Sequence, residues 1–238
     1  MSDAPCHFHE APDALTLAQD LARFVAARLQ EGLSQRGRAM LVVSGGSTPI
    51  SFFQALAQSA LDWPRVSITL ADERWVPPDH ADSNERLVRA HLLQGLASQA
   101  HFVPFKSADI LAAQGVPKLE ASLQALPWPA DVVVLGMGAD AHTASLFPGS
   151  AQLAEALDEA RSARCLAIQA PPLPNVPVDR ISLSKRALLD ARQTVVHITG
   201  SAKLKLLTQA RLPGPEDSMP IRLAWCGANI PCDVFYSN

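Results

Sequence analysis

AMLVVSGGSTP, residues 39–49, is the stretch that decides the fold. Ala39 to Val43 is a short apolar run, which reads as a buried strand. Ser44-Gly45-Gly46-Ser47 turns the chain, and Thr48 and Pro49 then suit the N-cap and first position of a helix. Outward from this unit, strands and helices keep alternating. Upstream, Leu15, Ala18, Leu21, Val25 and Leu29 recur at steps of three and four, the spacing of an amphipathic helix. Downstream, strands are expected at Val66–Leu70, His101–Phe105, Asp131–Leu135, Arg164–Gln169, Ile181–Leu183, Thr194–Thr199 and Asp233–Tyr236. Helices are expected from Asp82 to about Leu96 behind an Asp82/Glu85 capping box, over Ala108–Leu126, briefly over His142–Phe147, and from Ser201 to about Arg211. Strands separated by helices imply an α/β fold, a Rossmann-like mostly parallel sheet with helices on both faces. In such sheets ligands bind at the carboxyl ends of the strands.

The 238 residues suit a single domain over residues 1–238, and with 48% apolar residues a sizeable core is available without disulfides. Charged residues make up 18%, and 20 basic against 23 acidic side chains leave a net charge of −3. That excludes a nucleic-acid partner held by bulk positive charge. No apolar run reaches the length of a membrane span, and Met1 to Asp20 has no export-signal pattern, so no membrane partner and a cytoplasmic location are expected. Cys6, Cys165, Cys226 and Cys232 form no C-x-x-C pair, so they are expected to be reduced thiols rather than zinc ligands. Of the seven histidines, only His7 and His9 are closely spaced, and they fall in an N-terminus expected to be loose.

Four clusters sit at strand ends or helix starts. Gly45, Gly46, Ser47 and Thr48 offer free backbone N–H groups and hydroxyls to an anion; an ordinary strand-to-helix turn is the plain alternative. Lys203 lies in the first turn of its helix, where the dipole disfavours a cation unless a bound anion offsets it. Asp72-Glu73-Arg74 places charged side chains just beyond a buried strand, where they line a cleft or form a salt-bridged loop. Gly136-Met137-Gly138-Ala139-Asp140-Ala141-His142-Thr143 follows the clearest strand. It matches a dinucleotide turn superficially, but Pro148 cuts the next helix short and the following strand lacks an acidic residue for a ribose. His142 as general base, oriented by Asp140, fits better. No G-x-S-x-G elbow supports a covalent serine hydrolase.

These segments resemble the 6-phosphogluconolactonase family. The resemblance rests on Ser44 to Pro49, Asp72-Glu73-Arg74, Ser83-Asn84, Gly136 to Gly149, Arg180 to Ser184 and Gly200 to Lys203, in the family's order. It implies hydrolysis of 6-phospho-D-glucono-1,5-lactone in the oxidative pentose phosphate pathway, without metal or organic cofactor, by a monomer or small homo-oligomer. Carried onto this chain, it implies His142, Asp140, Arg74 and Asp72 as catalytic residues. Gly45, Gly46, Ser47, Thr48, Asn84, Arg180 and Lys203 would hold the substrate and its phosphate. Whether Arg74 faces the oxyanion or the sugar hydroxyls stays open. The family usually has glycine where Ala141 stands, which strains the chain if φ is positive there. Glucosamine-6-phosphate deaminases share the fold and are the alternative. Their catalytic glutamate corresponds to Phe147 here, which favours the lactonase.

Overall fold

The computed structural model describes residues 6–172, 177–225 and 230–238. From the N-terminus, β1 (Cys6–Ala11) leads through α1 (Ala14–Arg36) to β2 (Ala39–Val43), α2 (Ile50–Leu56), β3 (Val66–Leu70) and β4 (Asp72–Arg74). Then come α3 (Asn84–His91), β5 (His101–Val103), α4 (Ala112–Gln124), β6 (Val132–Leu135), α5 (Leu153–Leu157), β7 (Cys165–Gln169) and β8 (Asp179–Leu183). The chain ends with α6 (Lys185–Leu188), β9 (Thr194–Thr199), α7 (Ser201–Ala210) and β10 (Cys232–Ser237).

The main sheet has seven strands in the order β1-β10-β9-β6-β2-β3-β5, every pair parallel. This is the Rossmann-like α/β architecture that the alternation of runs predicts. Central strand β2 is buried at every position, as a parallel strand covered on both faces must be. Helix α1 buries Ala18, Leu21, Val25 and Leu29 of the expected stripe together with Leu17 and Ala22, while Leu15, expected in it, is exposed in the first turn. Asp13 caps it by accepting from the Thr16 N–H at 2.8 Å, and Gly37 ends it in the left-handed region at φ 68°.

The structure departs from the sequence reading in several places. His7 and His9 do not lie in a loose segment: residues 6–11 form the edge strand β1, held where His9 Nε2 meets Asp233 Oδ1 at 2.5 Å and its ring stacks on Phe235. Residues 72–74, 165–169 and 179–183 form a second, antiparallel sheet in the order β4-β8-β7, outside the main one. Ala71 joins the two sheets: its N–H donates to Val43 and its carbonyl accepts from Leu183, both at 2.8 Å. His142–Phe147 is not a helix but a bridged turn between Thr143 and Leu146, because Ala141 (φ 64°) and Ala144 (φ 48°) are both left-handed. Three caps also move. Pro49, not Thr48, precedes α2; Ser83, not Asp82, caps α3 through the Arg86 N–H; Gly200, not Ser201, precedes α7. Helix α3 stops at His91, and a 3-10 turn covers Gly95–Gln99. Cys6, Cys165 and Cys232 are free thiols. Cys226 and the centre of the proline-rich loop from Pro171 to Pro177 lie outside the described residues. Among the described residues, no helix is long and apolar enough to cross a membrane.

Candidate active site

A cavity of about 240 Å³ opens at the carboxyl ends of β2, β6 and β9. Gly45, Gly46, Ser47, Thr48, Asp72, Arg74, Asn84, His142, Arg180 and Lys203 all line it. Asp140 does not; it stands behind His142. Residues widely separated in sequence therefore reach one volume by way of parallel strands and the small sheet.

The segment from Gly138 to His142 folds back on itself. The Ala141 N–H donates to the Gly138 carbonyl, and the Gly138 N–H donates to the His142 carbonyl at 2.9 Å. A Cβ on Gly138 would collide with the His142 ring, so glycine there makes room for the imidazole. His142 Nδ1 lies 2.5 Å from Asp140 Oδ1, which also accepts the His142 backbone N–H. This hydrogen bond from the ring holds the Asp140 carboxyl below its ordinary range. With Nδ1–H donated to a carboxylate, Nε2 is left as the acceptor. The Phe147 ring packs against the imidazole, centroids 4.5 Å apart.

Ala141 holds the left-handed backbone that the family's glycine would take without strain, and it is fully buried. The cost of alanine there is about 1 kcal/mol, and a β-branched side chain costs more. Ala141→Gly relieves strain and loses one methyl contact; Ala141→Val adds branching and volume. Urea unfolding is expected to rank them Gly at least equal to Ala, with Val lower by about 2 kcal/mol. A Val variant as stable as the parent would show that the turn is not strained.

Cations line the cavity as well. Arg74 on β4 and Arg180 on β8 are directly opposed partners of the antiparallel ladder. Arg74 Nη1 donates to the Asp82 carbonyl at 2.6 Å, while its Nε is buried with no partner among the described residues. Arg180 Nε donates to the Pro177 carbonyl, its guanidinium lies 5.8 Å from the Phe147 ring centre, and burial pulls its pKa down. Lys203 is half-buried, which also pulls its pKa down. Among these cations sits Asp72, fixed by the Ser145 hydroxyl at 2.5 Å and by Asn84 Nδ2 at 3.4 Å. Asn84 in turn fills the space that a side chain on Gly45 would need. It thus braces Asp72 and the glycine loop together.

Sequence reasoning missed several supports. Glu73, adjacent to two chosen residues, is fully buried. It accepts the N–H groups of Arg74, Asn84 and Glu85 and the Ser83 hydroxyl, which pins the start of α3 beside the cavity. Burial pushes its carboxyl up to about 7, against the pull of those backbone donors. Glu73 was visible only as part of the charged Asp72-Glu73-Arg74 cluster; nothing local shows that it reaches the start of α3. His197 and Ser44 also line the cavity. His197 gave no signal, because one histidine in an apolar strand does not reveal which face it takes. Among the described residues, no group of three or more His, Cys, Asp or Glu side chains is placed to hold a metal ion.

A family described as glucosamine-6-phosphate isomerases/6-phosphogluconolactonase matches residues 12–230. A 6-phosphogluconolactonase of Pseudomonas aeruginosa is 44% identical over 205 residues, covering 86% of this chain and 85% of its own. A 6-phosphogluconolactonase of Rhizobium meliloti is 42% identical over 98% of this chain and 99% of its own. The crystal structure of a 6-phosphogluconolactonase from Shewanella baltica superposes with a TM-score of 0.93 at 45% identity, covering 98% of each chain.

Proposed function

The chain belongs to the glucosamine-6-phosphate isomerase/6-phosphogluconolactonase family, and from that premise we infer that it hydrolyses 6-phosphogluconolactone to 6-phosphogluconate, the lactonase step of the pentose phosphate pathway. The observation that carries the chemistry is a histidine–carboxylate pair at a cavity that Arg74, Arg180 and Lys203 also line.

The phosphate sits on the Gly45-Gly46-Ser47-Thr48 loop, with Lys203 and Arg180 supplying positive charge. Anchored there, the lactone ring is held against His142, so binding energy remote from the ester orients the reacting carbon. His142 Nε2 takes a proton from water as the water oxygen bonds to C1. The tetrahedral intermediate collapses by breaking the bond from C1 to the ring oxygen, and the imidazolium returns the proton to that oxygen. Asp140 keeps the ring oriented and offsets the charge it gains. Arg74, with an unpartnered Nε, donates to the oxyanion or to a sugar hydroxyl, and Asp72 positions hydroxyls. A lactone is already an activated ester, so these steps call for no metal or organic cofactor. The same reading takes the enzyme as a monomer or small homo-oligomer acting on a free metabolite in the cytoplasm, without a nucleic-acid or membrane partner.

Phe147 favours this reading over sugar-phosphate deamination. Its buried, apolar ring lies against His142, where acid-assisted ring opening calls for a carboxyl group. The direct test generates the phosphorylated lactone in situ and follows its disappearance spectroscopically against the spontaneous rate. No acceleration by the protein ends the proposal. Lys203→Ala should mainly raise KM, by about ten- to a hundredfold for a lost charge-assisted contact; an unchanged KM would place the phosphate elsewhere.

A further inference from the structure

His197, on β9, lines the cavity, yet no step above uses it. It is 4% exposed, it lines the same volume as Lys203, and the edge of its ring meets Phe52 at 6.2 Å between centroids. Among the described residues its ring nitrogens have no hydrogen-bond partner. The ring borders the cavity, so a bound ligand can supply the partner that the protein does not. Ser44, at the carboxyl end of β2, also lines the cavity, and its Oγ is buried and unpartnered. A buried, unpartnered hydroxyl and an imidazole without a protein partner among the described residues therefore border one space, beside a half-buried lysine in the first turn of a ten-residue helix.

We propose that His197 is a substrate-binding residue, whose imidazole donates a hydrogen bond to the phosphoryl group of the ligand alongside Lys203. A sugar hydroxyl would satisfy the ring equally well in isolation. The neighbouring ammonium and the free N–H groups opening α7 favour an anion at this end of the cavity. Burial and the Lys203 charge hold the imidazole neutral, its pKa down at about 4. A neutral ring keeps one N–H to donate, and a phosphate oxygen accepts it without requiring a further positive charge beside Lys203.

The proposal rests on the lactonase reading for its substrate, but not for its test. His197→Phe keeps a buried ring and removes the donor; His197→Gln keeps an N–H donor. With inorganic phosphate as probe, calorimetry is expected to show about tenfold weaker binding for the Phe variant and recovery of most of that loss by Gln. KM for the phosphorylated lactone should follow the same order, with kcat shifting far less than KM. Phosphate affinity in the Phe variant equal to that of the parent, or a loss that Gln does not restore, overturns the proposal. Should the Phe variant fail to fold, the unmodified protein decides. Histidine ¹⁵N spectra should show the His197 ring resonances moving on phosphate addition, and resonances unmoved at saturation overturn it. Phosphate binding without lactonase activity would end the function reading and leave this assignment standing. Lactonase activity with an unmoved His197 would do the reverse.

Discussion

His142→Ala is expected to lower kcat by about 10² to 10⁴ while KM changes little. The split follows from where the groups sit. The imidazole is held by Asp140 at 2.5 Å and leaves only Nε2 for the reaction. The glycine loop, Arg180 and Lys203 line the same cavity and are left in place by the substitution. Water remains able to reach C1, but without a base its attack must generate hydronium. Asp140→Asn should lose less, because the ring stays in place while the charge that steadies the imidazolium is gone. Near-normal turnover in the alanine variant would remove His142 from its role. A large rise in KM with kcat intact would make it a binding residue instead.

The second large effect is on stability against pH, and it involves two buried groups acting in opposite senses. The Glu73 carboxyl, ordinarily near 4.5, is pushed up to about 7 by burial. Between those values the folded protein keeps a proton that the unfolded chain releases, so stability falls as pH rises through that window. The His197 imidazole, ordinarily near 6.5, is pulled down to about 4 by burial and by Lys203. Between those values the unfolded chain binds a proton that the folded protein refuses, so stability rises with pH. Each effect amounts to about 3 kcal/mol, and the windows nearly coincide, so the two cancel in the parent. Glu73→Gln is expected to unmask the histidine, making stability climb by about 3 kcal/mol relative to the parent between pH 4.5 and 6.5. His197→Phe is expected to unmask the glutamate and tilt the profile the other way. Denaturant unfolding at several pH values reads both, as differences in slope from the parent. Parallel profiles in all three proteins would show that neither group is perturbed.

Much of the main sheet was legible in the sequence, because a strand covered on both faces is a short apolar run. Ala39–Val43, Val66–Leu70, Asp131–Leu135 and Thr194–Thr199 announce themselves in that way, and a strand end feeding a glycine turn marks the ligand side. Of the small sheet, Arg164–Gln169 and Ile181–Leu183 were legible as strands, but its third strand and its separation from the main sheet were not. Asp72-Glu73-Arg74 is three charged residues with no strand propensity, and only its ladder with residues 179–183 makes it a strand. That pairing is a tertiary fact with no local trace. The turn at Ala141 and Ala144 misled for a related reason. Ala-His-Thr-Ala-Ser-Leu has acceptable helix formers, and the packing of His142 against Gly138 overrides them. Ser83 and Asp82 are both good caps, and the buried Glu73 carboxylate decides which of them begins α3. The candidate residues were singled out by their chemistry at strand ends; the groups that hold them, Glu73 and Ser145, stand within the same segments, but nothing local shows that their side chains turn inward to Asn84 and Asp72.

The opposed pair Arg74 and Arg180 has a consequence for how the protein comes to be active. The two residues are about a hundred positions apart, and they face each other only once the small sheet has closed on Ala71. Non-local pairings of this kind form slowly, after the local helices and the contiguous strand-turn-helix units. The glycine loop can thus be complete in a chain that still lacks one of its cations. Affinity for a dianion then reports the end of folding rather than its progress, and a chain halted short of that closure would carry native helices and an empty, half-charged pocket.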